Sequence, residues 1–170
     1  MDSGIYAHID EISRKLLEEL QKDARIPFAE LGRRVGLSAS ATAERVRRLQ
    51  DEGVIRGFRV DIDPRALGYN IMVFTRMTFQ GEKYKHFLAY VKGMEEVREC
   101  YHVTGSDALI MKILARSIEE LDVIVSKFLS YGEPNSSLVL GNAFVRTQYE
   151  LDPKETKRIT DREPNSIRLG

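Results

Sequence analysis

The stretch Pro27–Gly57, PFAELGRRVGLSASATAERVRRLQDEGVIRG, reads as two helices around a tight glycine turn. Pro27 suits the opening of the first helix, where its missing N–H would find no partner anyway. Phe28, Leu31 and Val35 then recur three and four apart on one face. Gly36 fits just past a helix end, where a left-handed backbone costs little without a Cβ; Leu37 plugs the angle and Ser38 is a good N-cap for the second helix. In that helix Thr42, Val46, Leu49 and Gly53 fall in a narrow arc at about 100° per residue and are expected to face the core. Ser40, Glu44, Arg47 and Arg48 point away from it, with Ala41 and Arg45 on one flank. One buried stripe, short polar side chains near the start and then three arginines make a helix shaped to enter a major groove.

The charge supports that reading. From Arg25 to Arg59 there are eight arginines against four acids, Glu30, Glu44, Asp51 and Glu52, a local +4. Arginine suits bidentate contacts to phosphate and guanine better than lysine does. The alternative is a solvated face in which Arg45, Arg47 and Arg48 pair with Glu44, Asp51 and Glu52, which leaves the short turn unexplained. The candidate DNA contacts are Ser38, Ser40, Thr42, Glu44, Arg45, Arg47 and Arg48, joined by Arg33 and Arg34 of the first helix. Ser40, Glu44 and Arg45 are expected near base edges, with Arg47, Arg48, Arg33 and Arg34 nearer phosphates.

The totals bound the rest. The chain has 170 residues, 42% hydrophobic and 31% charged, enough for two small domains or one average one. With 26 basic and 26 acidic residues the net charge is zero, so any affinity for nucleic acid must come from a local patch. The one cysteine, Cys100, rules out an intrachain disulfide and is expected to be a small core residue. His8, His86 and His102 are too far apart to suggest a metal motif, and no metal or cofactor is expected. Nothing resembles a membrane span or a signal peptide, which predicts a cytoplasmic protein with no membrane partner. No phosphate loop and no nucleophile with a neighbouring base is present, so an enzyme is not expected.

Outward from the central stretch, Met1 to His8 read as an arm or frayed end. Asp10 can cap a helix to about Lys22 with Ile12, Leu16, Leu17 and Leu20 buried, the third wall that a helix-turn-helix needs. After Gly53, VIRGFRVDID reads as extended, a wing or a link. Asp63–Gly68 has turn chemistry, and beyond it the period changes. Asn70–Phe79 alternates as a strand, Tyr84, Phe87, Leu88 and Val91 return to helical spacing, and Val97–Thr104 and Ala108–Ala115 form a hairpin about Gly105-Ser106-Asp107. Ser117-Ile118-Glu119-Glu120 is a capping box for a helix with a stripe of Leu121, Ile124, Val125, Phe128 and Leu129; Ser136–Val145 is the last strand. The predicted fold class is therefore α+β: a winged-type helix-turn-helix domain, 1–62, a linker, 63–69, a ferredoxin-like βαββαβ domain, 70–150, and a flexible tail, 151–170. Helices cover one face of such a sheet only, and a second copy of the chain is expected on the other. A lone Tyr101 on the central strands is too few rings for an RNA-stacking platform.

IDEISRKLLEELQKDARIPFAELGRRVGLSASATAERVRRLQDEGVIRGFRVDIDPRALG, followed by ECYHVTGSDALIMKILARSIEEL, resembles the leucine-responsive and asparagine-responsive (Lrp/AsnC) regulators of bacteria and archaea. The likeness spans Ile9 to about Tyr149. It implies a transcription regulator binding double-stranded DNA, whose C-terminal domain dimerises, assembles into octamers or higher forms and binds an amino acid or related effector between dimers. The site it implies lies around Val103, Thr104, Gly105, Ser106 and Asp107, and Tyr101 and Ser136 are further candidates. Turn N–H groups at Gly105 and Ser106 would hold a carboxylate and Asp107 an ammonium, unless Gly-Ser-Asp is merely hairpin punctuation. An architectural protein that wraps DNA with little effector response is the alternative.

Overall fold

A computed structural model of the chain describes residues 9–79 and 83–151. The expectations for residues 1–8 and for the tail beyond residue 151 lie outside them. The described residues divide into two compact units, one of 9–60 together with 146–151, the other within Asp61–Val145.

Among the described residues the first unit holds three helices, α1 (Glu11–Lys22), α2 (Phe28–Val35) and α3 (Ala39–Asp51). Each boundary has a local cause. Asp10 caps α1 by accepting the Ser13 N–H at 2.8 Å, and Ser38 caps α3 by accepting the Ala41 N–H at 3.2 Å. Pro27 stands one residue before α2, as its cap, and Gly36 ends that helix in the left-handed region, φ 78°. Leu16, Leu20, Ile26, Leu31 and Val46 form one core, with Ile12, Val35, Leu37 and Ile55 packed on it. Gly53, expected in that core, is exposed: its φ of 73° makes it the residue that stops α3, bonded from its N–H to the Gln50 carbonyl at 2.9 Å. The expected strand after it is absent. Residues 56–63 enter no ladder, so among the described residues the unit carries no wing. From the C-terminal segment, the Tyr149 N–H donates to Gln21 Oε1 at 2.6 Å and Gln148 Nε2 to the Gln21 carbonyl at 3.0 Å, tying it to α1.

The second unit is an antiparallel sheet of β1 (Ile71–Phe79), β2 (Val97–His102), β3 (Leu109–Ala115) and β4 (Gly132–Leu138), in the order β2-β3-β1-β4, with α4 (Lys83–Lys92) and α5 (Ile118–Phe128) between strands. This is the ferredoxin-like arrangement. Val73, Met77, Leu109, Met111, Ile113 and Ala115 of the sheet bury against Phe87 and Val91 of α4 and Ile124 and Phe128 of α5. Leu129, expected in the α5 stripe, is 65% exposed. Ser117 caps α5, but Glu120 closes the box on the Arg116 N–H rather than on the Ser117 N–H.

The last strand is displaced from its expected position. Leu138, Leu140, Phe144 and Val145 mark Ser136–Val145 in the sequence, yet the ladder uses Gly132–Leu138, pairing Pro134 with Met77 and Ser136 with Thr75. An edge strand tolerates proline because one row of its N–H groups has no ladder to join. Cys100 likewise sits on edge strand β2 and is exposed rather than buried in the core. On the sheet face away from the helices, Arg76 bonds Asn135 at 3.0 Å and Lys112 meets Glu99 at 3.1 Å, between the apolar side chains of Phe74 and Ile110.

Candidate nucleic-acid interface and effector cleft

In α3 the core stripe is Thr42, Val46 and Leu49, all essentially buried. Thr42 therefore offers no atom to DNA. Its hydroxyl donates to the Ser38 carbonyl at 2.8 Å and fastens the start of the helix. Ser40, Glu44 and Arg47, spaced four and three apart, form the opposite stripe and are exposed, with Arg48 beside them. Ser40 and Ser38 share a hydroxyl hydrogen bond of 3.1 Å at the exposed helix start. Arg47 has no ion-pair partner among the described residues, whereas Arg48 pairs with Glu52 at 2.8 Å.

Arg45 departs from its expected role. Only a quarter of its side chain is exposed, and its guanidinium turns back to α1, donating from Nη1 to Asp10 Oδ2 and, at 3.3 Å, to Ser13 Oγ. Arg33 and Arg34 are exposed on α2 and share Glu30: Arg33 grips it from Nε and Nη2, both at 2.8 Å, and Arg34 also reaches Glu19 at 2.5 Å. Water screens such surface pairs, so exchanging Glu30 for a phosphate costs little.

These pairs make the first unit acid-sensitive. The Ser13 N–H, then the Ser13 hydroxyl and Arg45, hold the Asp10 carboxyl down at about 2, and Arg33 and Arg34 hold Glu30 at about 2. Unfolding frees both to take up protons at the ordinary carboxylate pH, so their stabilisation is complete above about pH 4.5 and is lost as pH falls towards 2. Glu30→Gln is expected to weaken the unit at pH 7 and to flatten its loss of helix signal between about pH 4.5 and 2, followed by circular dichroism. An acid limb identical to that of the native chain would rule out Glu30 as a contributor.

In the second unit a cleft of about 310 Å³ lies at the hairpin, lined by Thr78, Phe79, Tyr84, His102, Gly105, Ser106, Asp107 and Ala108. Gly105 takes φ 121°, a conformation favouring glycine, and Asp107 is half-buried. Val103 N–H bonds the Ala108 carbonyl at 3.2 Å and Ala108 N–H the Met77 carbonyl at 2.9 Å, which fixes both ends of the turn. Of the expected effector residues, the structure brings Gly105, Ser106 and Asp107 into this cleft, while Val103 and Thr104 lead up to it without lining it. Tyr101 and Ser136 lie elsewhere: the Tyr101 hydroxyl donates to Glu99 at 2.8 Å, and Ser136 shares a 2.8 Å hydroxyl contact with buried Thr75. Sequence reasoning misses the aromatic wall. Tyr84 and His102 meet at 5.4 Å between ring centroids, and Phe79 sits edge-on to Tyr84 at 5.6 Å. Strand alternation offers the one clue, since it sets His102 on the face opposite Tyr101.

The family model of the AsnC-type helix-turn-helix domain matches residues 9–50, and that of the Lrp/AsnC ligand binding domain matches residues 72–148. Over 144 residues the chain is 34% identical to regulatory protein AsnC of Escherichia coli (strain K12), covering 82% of this chain and 95% of AsnC. The chain belongs to the Lrp/AsnC family. It is a DNA-binding transcription regulator with the fold of its relatives. The regulator is also 30% identical to the HTH-type transcriptional regulator LrpC of Bacillus subtilis (strain 168) over 125 residues, 74% of this chain and 87% of LrpC. The solved structure of E. coli AsnC superposes with a TM-score of 0.77 at 31% identity, covering 84% of the regulator and 99% of AsnC. A feast or famine regulatory protein from M. tuberculosis, solved with L-methionine, superposes with a TM-score of 0.73 at 30% identity, covering 83% and 98%. No helix among the described residues is long and apolar enough to cross a membrane.

Proposed function

We propose that the regulator recognises its operator through the stripe Ser40, Glu44 and Arg47, with Arg48, Ser38, Arg33 and Arg34 on flanking phosphates, and that an amino acid bound at Gly105–Asp107 modulates it. The observation that carries the reading is the exposed stripe on α3 diametrically opposite Thr42, Val46 and Leu49. A glutamate accepts from cytosine N4 and an arginine donates twice to guanine, so Glu44 and Arg47 have the chemistry to read bases. In the cleft, Asp107 pairs with an α-ammonium, the N–H groups of Gly105 and Ser106 face a carboxylate, and Phe79 and Tyr84 flank the effector side chain. The M. tuberculosis relative solved with L-methionine supports this class of effector. The active form is a homodimer or a larger homo-oligomer in the cytoplasm, joined through the sheet face away from the helices; it performs no catalysis and needs no cofactor.

The test is fluorescence anisotropy on a duplex selected by the native protein from a random pool, against a scrambled duplex, at two salt concentrations and with pooled amino acids. Arg47→Ala is expected to lose about 10- to 100-fold in operator affinity and to relax base choice at one position. Equal losses on both duplexes would remove the base-reading role. Binding indifferent to sequence and to every pool would favour DNA wrapping.

A further inference from the structure

We propose that Arg45 is a positioning residue that never touches DNA: clamped by Asp10 and Ser13, it fixes the rotation of α3 about its own axis and thereby the stripe that meets the bases. The inference rests on the DNA-reading face proposed above. Three observations carry it. Arg45 occupies a flank between the buried and exposed stripes, from which a long side chain can brace the helix against a neighbour. Its Nη1 finds two acceptors on α1, Asp10 Oδ2 and Ser13 Oγ, and Ser13 is only 4% exposed. Asp10 is itself immobilised, since its other oxygen, Oδ1, accepts the Ser13 N–H at 2.8 Å as the cap of α1. One carboxylate thus anchors the start of α1 and the middle of α3.

A cation beside the start of α1 would be repelled by the positive end of the helix dipole, and the Asp10 carboxylate between them offsets this. The geometric consequence is large. Side-chain tips lie about 5–6 Å from a helix axis, so a rotation of about 20° moves them by about 2 Å, more than a hydrogen bond tolerates. Thr42, Val46 and Leu49 hold the helix by burial, which is largely non-directional. The Arg45 clamp adds direction.

The experiment is a double-mutant cycle on the full chain, Asp10→Asn, Arg45→Gln and both together, with affinities measured on the selected operator and on a scrambled duplex over a salt series. Asparagine caps as well as aspartate, so α1 survives, and far-UV circular dichroism with thermal unfolding checks the fold of each variant. Removing a carboxylate should, by charge alone, strengthen binding to any duplex. The positioning role gives the opposite sign: Asp10→Asn weakens operator binding by about tenfold and leaves scrambled-duplex binding unchanged or stronger. Arg45→Gln weakens operator binding to a similar degree with an unchanged salt slope, and the double variant is no worse than either single one. Additive losses, a salt slope reduced by about one in Arg45→Gln, or an operator affinity that Asp10→Asn leaves intact would each overturn the proposal. If the native protein itself fails to distinguish the two duplexes, the DNA-reading face is wrong and the positioning role falls with it.

Discussion

Gly32→Ala is expected to weaken operator binding sharply by forcing apart the turn of the helix-turn-helix. In most helices this exchange stabilises by about 1 kcal/mol, because alanine has less backbone entropy to lose. Here a Cβ on Gly32 would lie 2.5 Å from the Leu37 carbonyl oxygen and 2.7 Å from Thr42 Oγ1. Neither can yield cheaply. Leu37 is tied back to the same helix by its N–H, 2.8 Å from the Gly32 carbonyl, and Thr42 is buried with its hydroxyl donating to Ser38. Relief would require α2 and the turn to move apart, at an overpacking cost of about 3 kcal/mol that outweighs the propensity gain. Thermal unfolding of the first unit should fall by about 10 °C, and operator affinity should fall with it because Ser38 and Ser40 follow directly on the displaced turn. Gly36→Ala provides the contrast: nothing lies within 4 Å of the added Cβ, so its milder cost comes only from φ 78°. A Gly32→Ala variant that melts at or above the native temperature would show that the turn is less tightly packed than these distances require.

That tight approach is not visible in the sequence, where Gly32 is one small residue among helix formers. What the sequence does carry is local chemistry. Asp10, Ser38 and Ser117 cap helices as their side chains dictate, Gly36 turns the chain, and the period-two alternation of Ile71–Phe79 forms a strand. Features set by distant partners are hidden. Arg45 reads as a DNA contact until Asp10, 35 positions earlier, is found beside it. The polar strand Gly132–Leu138 has weak strand propensity and is fixed by its ladder to β1, while the apolar run after it is left exposed. The cleft is half legible: Gly105, Ser106 and Asp107 form a recognisable turn, but Tyr84 and His102 join it only through tertiary folding.

Phe87→Ala should be as damaging to the second unit as Gly32→Ala is to the first, and by the opposite means, a void instead of a clash. Phe87 is fully buried and central to an aromatic cluster, with ring centroids 5.1 Å from Phe128, 5.2 Å from Phe79 and 5.4 Å from Tyr131. Truncation removes the apolar burial of a whole ring and leaves a cavity that the sheet and two helices cannot close, a loss of about 3–5 kcal/mol. Because the two units have separate cores, calorimetry should show the transition of the second unit lowered by about 15 °C or more. Phe87→Leu, which keeps most of the volume, should cost less than about half as much. The functional consequence comes from the neighbours. Phe79 packs on Phe87 from one side and presents its edge to Tyr84 on the other, so the void lies directly behind the aromatic wall of the cleft. At temperatures where the second unit of Phe87→Ala is still folded, the amino-acid response of DNA binding should already be weakened relative to Phe87→Leu. An unchanged response there would mean that the effector does not depend on the wall formed by Phe79, Tyr84 and His102, and would move the effector site away from this cleft.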